Sequence, residues 1–135
     1  MNATNPDLSA FKAAGGKLIM WHGWADHALT AVRTIQYHDD VVRAAGDKGK
    51  VAYFFRLFLA PGMHHCGGGP GPSAFDALTA LESWVEAGSA PEAIVAINAT
   101  ADRTRPLCRY PKVAVYNGSG SIDDARNFRC EDAGR

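Results

Sequence analysis

Neither sign of charge is in excess in this chain: fourteen basic residues face fourteen acidic ones, and Lys and Arg form no cluster. A nucleic-acid or anionic-membrane binder needs a basic footprint, so neither partner is expected. No apolar run approaches the roughly 20 residues that span a bilayer. The start, MNATNPDLSAFKAAGG, has neither the basic n-region nor the apolar h-region of a signal peptide. A signal removed in maturation would leave the same start, so the compartment stays open.

Cysteine is scarce and odd in number, with Cys66, Cys108 and Cys130 only. In an oxidising compartment that count leaves one thiol free or paired with another chain. Cys108 and Cys130 lie in a tail rich in Gly, Pro, Asp and Arg, where a staple would help, whereas Cys66 sits apart. If the two tail cysteines pair, closing a loop of about 23 residues contributes roughly 2–4 kcal/mol. Metal and nucleotide signatures are also missing: there is no HExxH, no paired CxxC, no GK[ST] and no dinucleotide fingerprint.

What is present is apolar sequence. The 135 residues are 47% hydrophobic, enough for the core of one compact unit spanning 1–135. DLSAFKAAGG predicts a short helix stopped by Gly15-Gly16. The run Leu18 to Trp21 predicts a strand buried on both faces of a parallel sheet. From about Thr30 to Ala45, Val32, Ile35, Val41 and Val42 recur at helical spacing, with Gly46 as the stop. VAYFFRLFLA, Val51 to Ala60, predicts a second strand, and Arg56 within it calls for an edge position or a partner for its charge.

Ser73, with Asp76 three residues on, predicts the cap of a third helix whose face carries Phe75, Leu78, Leu81, Trp84 and Val85, ended by Gly88 and Pro91. The order helix-strand-helix-strand-helix is that of an α/β sheet with crossover connections. Two long strands make only part of a sheet, since open sheets mostly have about four to six. Beyond Pro91, AIVAINAT predicts one more strand and the remainder an irregular, turn-rich tail. Internal repeats and low-complexity linkers are absent.

The stretch APGMHHCGGGPGP, Ala60 to Pro72, concentrates the chemistry. A zinc site from His64, His65 and Cys66, with His22 or His27, is disfavoured because neighbouring residues on an extended loop diverge. A phosphate cradle is disfavoured because the two prolines remove donors. No metal or cofactor is therefore expected. Acid–base chemistry fits better. Asp26 and His65 each follow a predicted strand by a few residues, and ligands of open α/β sheets bind at the carboxyl ends of strands. An Asp bonded to a His fixes its tautomer and stabilises its protonated form, the supporting half of a Ser-His-Asp triad.

Four blocks, LIMWHGWADHAL, FFRLFLAPGMHHCGGGPGP, FDALTALESWVEAGSAPEAIVA and RPLCRYPKVAVYNGSGSIDDARNFRC, together resemble the C-terminal part of the tannase and feruloyl esterase family of α/β-hydrolases. The likeness runs from about Asp7 to Cys130. It implies that Asp26, in the HGxxD block, is the catalytic acid and that His65, before the cysteine of the HCGGG block, is the catalytic base. It implies a Cys108–Cys130 bond, and it matches Cys66 to a cysteine that pairs with one beside the family's nucleophilic serine. It carries no role to His64. A secreted or periplasmic setting is also implied.

The family's nucleophile elbow, G-x-S-x-G, and its lid domain have no counterpart here. Ser9, Ser73, Ser83 and Ser89 belong to predicted helices or their ends, and Ser119 and Ser121 to a turn; none fits the elbow. Three readings follow. The chain is the C-terminal portion of a serine esterase for phenolic esters, gallate or hydroxycinnamate, with at most feeble activity alone and an N-terminal portion as partner. Or it is a binding or self-assembly module, a homodimer that is strand-exchanged or bridged through Cys66. Or it is a small hydrolase in which His65 activates water. Trp21 and Trp24 are expected to pack at strand ends rather than to touch a substrate ring.

Overall fold

A computed structural model describes residues 4–133, so the first three and last two residues of the expected unit 1–135 lie outside the described residues. In chain order the elements are α1 (Ser9–Ala13), β1 (Leu18–Gly23), α2 (Ala31–Ala45), α3 (Lys48–Ala52) and β2 (Phe55–Ala60). They continue with α4 (Ala77–Ala87), β3 (Ala93–Asn98), β4 (Arg103–Cys108), β5 (Lys112–Tyr116) and β6 (Phe128–Asp132), the last preceded by a 3-10 turn at Ala125–Asn127. β1 and β2 pair in parallel, from Leu18 opposite Phe55 to Gly23 opposite Ala60. β3 and β4 form an antiparallel pair, as do β5 and β6.

β2 organises the core because its side chains alternate between two apolar clusters. Phe55 and Leu57 join Val41, Val51 and Phe54 on one side. Phe58 and Ala60 join Met63, Ile94, Ala96 and Leu107 on the other. Each such Phe or Leu contributes roughly 1.5–3 kcal/mol by its burial. Arg56 also lies inside, and it has the partners its charge requires: its guanidinium sits 5.2 Å above the Trp84 ring and its Nη2 donates to Glu92 at 3.1 Å. The same carboxylate is 3.1 Å from Arg109, so Glu92 ties β2 to the chain just after β4.

Several expectations are corrected. The apolar run from Val51 is a helix before it is a strand: Asp47 caps α3 by accepting from the Gly49 amide at 2.7 Å, and Val51 is buried from that helix. β1 is only partly buried, and Trp21 is 44% exposed. The buried stripe of α2 runs through Ala31, Ile35, His38 and Val41, which leaves Val32 off it and exposed. Asp76, not Ser73, caps α4, accepting from the Thr79 amide at 2.9 Å. Ser73 instead donates its amide to the Ile97 carbonyl. Leu78 and Val85 flank the stripe that ends at buried Trp84 and are exposed. The tail is not irregular; three of its segments are β4, β5 and β6, and the Cys108–Cys130 disulfide joins β4 to β6 with a Cα–Cα distance of 5.6 Å.

Candidate active site

β1 and β2 end at the same level, so their following loops leave side by side. They are laced together by Trp24 N–H donating to the Ala60 carbonyl and Ala25 N–H donating to the Met63 carbonyl, each at 3.0 Å. Gly23 is what permits this approach: a Cβ there would lie 2.3 Å from the Met63 oxygen. The second loop folds on itself, with Gly71 N–H donating to the Gly62 carbonyl at 3.1 Å and His64 N–H to the Gly68 carbonyl at 3.2 Å. Gly71 is the tightest point, since a Cβ there would meet the Pro61 oxygen at 1.9 Å, and Gly69, at φ +93°, is nearly as close, its Cβ meeting the Gly62 oxygen at 2.2 Å. Cys66, the residue after His65, holds φ +61° without being glycine and is exposed and unbonded. Such a conformation carries backbone strain and persists where surrounding structure imposes it.

These loops bring Asp26 and His65, 39 positions apart, into contact: His65 Nδ1 lies 2.8 Å from Asp26 Oδ2. The carboxylate is 4% exposed and the imidazole 48% exposed. Asp26 Oδ1 accepts from the amides of Ala28 and Leu29 at 2.8 and 2.9 Å. The Leu29 N–H and then the His65 hydrogen bond hold the Asp26 carboxyl well below the usual carboxylate range, against the opposing effect of burial. Asp26 is therefore ionised and acceptor-only at neutral pH, which requires the hydrogen on His65 to sit on Nδ1 and leaves Nε2 as its basic nitrogen. Among the described residues nothing hydrogen-bonds His65 Nε2.

His22, considered above only as a metal ligand, sits beside this pair. Its Nε2 is 3.2 Å from Asp26 Oδ2 and 3.0 Å from the Leu29 carbonyl, and its Nδ1 is 2.7 Å from Thr34 Oγ1. The signal was present in the sequence as a histidine four residues before Asp26, with a hydroxyl one turn into the next helix. Among the described residues no group of three or more His, Cys, Asp or Glu side chains is arranged to hold a metal ion. His64 is exposed and packs edge-on against His27, with ring centroids 6.1 Å apart.

Trp24, expected to be packed, is 49% exposed. It lines an open apolar groove of about 630 Å³ with Pro61, Gly71, Arg105, Tyr110 and Phe128; neither Asp26 nor His65 reaches that groove. Trp21, also more open than expected, packs edge-on against Phe75 at 5.6 Å. No helix among the described residues is long and apolar enough to cross a membrane.

A family profile described as "Tannase and feruloyl esterase" matches residues 1–131. The chain is 48% identical over 134 residues to a mono(2-hydroxyethyl) terephthalate hydrolase of Piscinibacter sakaiensis, covering 95% of this chain and 22% of that protein. It is 43% identical over 134 residues to a probable feruloyl esterase of Arthroderma benhamiae, covering 94% of this chain and 25% of that protein. Its backbone superposes on the crystal structure of feruloyl esterase B from Aspergillus oryzae with a TM-score of 0.85 at 30% identity, over 95% of this chain and 29% of that one. The chain thus spans about a quarter of the length of the relatives it matches.

Proposed function

The chain belongs to the tannase and feruloyl esterase family, and on that premise we propose that it supplies the acid and base of a Ser-His-Asp triad that hydrolyses phenolic carboxylic esters, gallates or hydroxycinnamates. Membership supports an esterase-type function. The triad, the substrate class and the source of the serine are our reading. In it, β1, β2 and the helices around them are the C-terminal part of an α/β-hydrolase sheet, and the nucleophile elbow and lid come from residues outside these 135. The observation that carries the reading is the 2.8 Å contact between His65 Nδ1 and Asp26 Oδ2, which fixes the tautomer and turns a partly exposed, basic Nε2 outward.

The chemistry follows from that tautomer. Nε2 takes the proton as the serine oxygen attacks the ester carbonyl, and the ionised Asp26 stabilises the imidazolium. Collapse of the tetrahedral intermediate breaks the bond to the alcohol, which leaves with the proton from Nε2. A water deprotonated by the same nitrogen then releases the carboxylic acid and regenerates the serine. The oxyanion would be held by main-chain amides outside this chain. Cys66, exposed and unbonded beside His65, would pair with a cysteine next to that serine and fasten the two parts. That bond and the Cys108–Cys130 bridge suit a secreted or periplasmic setting.

A second reading, self-assembly or docking without catalysis, draws on β1, which pairs only with β2 among the described residues, and on exposed Trp21 and Trp24. One experiment separates the two. This chain is mixed with a separately produced N-terminal portion of a family member carrying G-x-S-x-G, and hydrolysis of methyl ferulate and methyl gallate is followed. The triad reading expects turnover that falls by about 10⁴-fold with Asp26→Asn and by about 10⁶-fold with His65→Ala. Association without turnover would sink it and leave the second reading in its place.

A further inference from the structure

We propose that His22 is a positioning residue of this site, a neutral imidazole that clamps the Asp26 loop so that its carboxylate stays aimed at His65; the proposal rests on the triad reading above. The tautomer comes from the surroundings. Nε2 faces two acceptors, the Leu29 carbonyl at 3.0 Å and Asp26 Oδ2 at 3.2 Å, so it carries the hydrogen. Nδ1 then accepts from the Thr34 hydroxyl at 2.7 Å, which stops the ring from flipping. Asp26 and Leu29 close the loop from both ends: Leu29 donates its amide to Oδ1, and its carbonyl receives the His22 hydrogen. The ring, only 14% exposed, therefore joins β1, the loop and α2 at one point. Without it, Leu29 loses the bond that holds its carbonyl, and its amide ceases to be a fixed donor to Asp26. His22 and His65 thus carry opposite tautomers around one carboxylate.

The test uses the full chain labelled with ¹⁵N and long-range imidazole correlations at about pH 8, where free imidazole is neutral. The expected wild-type spectrum shows His22 protonated on Nε2 and His65 protonated on Nδ1. In His22→Leu, the His65 Nδ1–H signal should be lost, and the Leu29 amide should exchange about tenfold faster, the scale of one lost hydrogen bond. Amides of β2 should keep their protection. His22→Gln, which keeps a donor near the Nε2 position, should restore both signals. Thr34→Val, which leaves the ring in place but unlocked, should shift both in the same direction as His22→Leu and serves if that variant does not fold. A wild-type His22 protonated on Nδ1 overturns the proposal, as does a His65 signal unchanged in His22→Leu or, where that variant does not fold, in Thr34→Val. Failure of the triad reading looks different: the wild-type His65 would itself lack the Nδ1–H signal.

Discussion

At the scale of single residues, the two oxygens of Asp26 do separate work. Oδ1 is anchored by main-chain amides, and Oδ2 is kept for imidazole. Because the folded carboxyl titrates well below its ordinary value, the stability it contributes is fully present above the unfolded aspartate value of about 3.9 and is lost as pH falls toward the folded one. Wild type and Asp26→Asn should therefore differ most in melting temperature above about pH 5, and the gap should shrink steadily below about pH 4. A gap that stayed constant across that range would mean the carboxylate charge is not what holds the loop. The meeting of Asp26 and His65 was legible because each lies a few residues beyond an apolar run that ends as a strand, and parallel strands deliver their loops to the same end. The place of His22 was only hinted at by its spacing four residues before Asp26, because its partners, the Leu29 carbonyl and the Thr34 hydroxyl, are set by the path of the loop.

At the scale of elements, the junction of β1 and β2 depends on the missing side chain of Gly23. Gly23→Ala would push a Cβ against the Met63 carbonyl, 2.3 Å away. Because the obstacle is backbone, the two loops must separate. The expected cost is about 1–3 kcal/mol in denaturant unfolding, with loss of the hydrogen-bonded His65 Nδ1–H signal. Retention of that signal in a folded Gly23→Ala chain would show that the loops tolerate separation. The cap of α4 gives a milder case: Asp76→Ala should lower the melting temperature because the Thr79 amide loses its acceptor, whereas Ser73→Ala should change it little, since the contact of Ser73 with Ile97 is made through its amide. Of the periodic segments, α2 was legible to within a residue, whereas α4 was legible at its Gly88 stop but has its cap three residues beyond the expected Ser73. The run from Val51 to Ala60 was not, because a fully apolar stretch carries no period and only the Asp47 cap separates its helix from its strand. Strand β4 was hidden for another reason. Arg103, Arg105 and Pro106 do not look like strand residues, and what makes them one is pairing with β3.

At the scale of the whole molecule, the tail is held by the Cys108–Cys130 bridge, which closes a segment with a sequence separation of 22. Reduction, or Cys108→Ser, should lower stability by about 2–4 kcal/mol as read by thermal unfolding, and should loosen β5 and β6 before β1 and β2. Hydrogen exchange checks the order; simultaneous loss of protection everywhere would mean the tail and the β1–β2 core unfold as one unit. The core has no such dependence on the tail at the candidate site. Every partner of the Asp26 carboxylate, namely His22, Ala28, Leu29 and His65, lies between β1 and the glycine loop, and the Thr34 hydroxyl that fixes His22 lies there too. In evolutionary terms this makes the Asp26–His65 pair a cassette. A recombination event that keeps Leu18 through Gly71 together carries every side chain of the hydrogen-bonded cluster, and one that cuts between Thr34 and His65 divides that cluster between two parents.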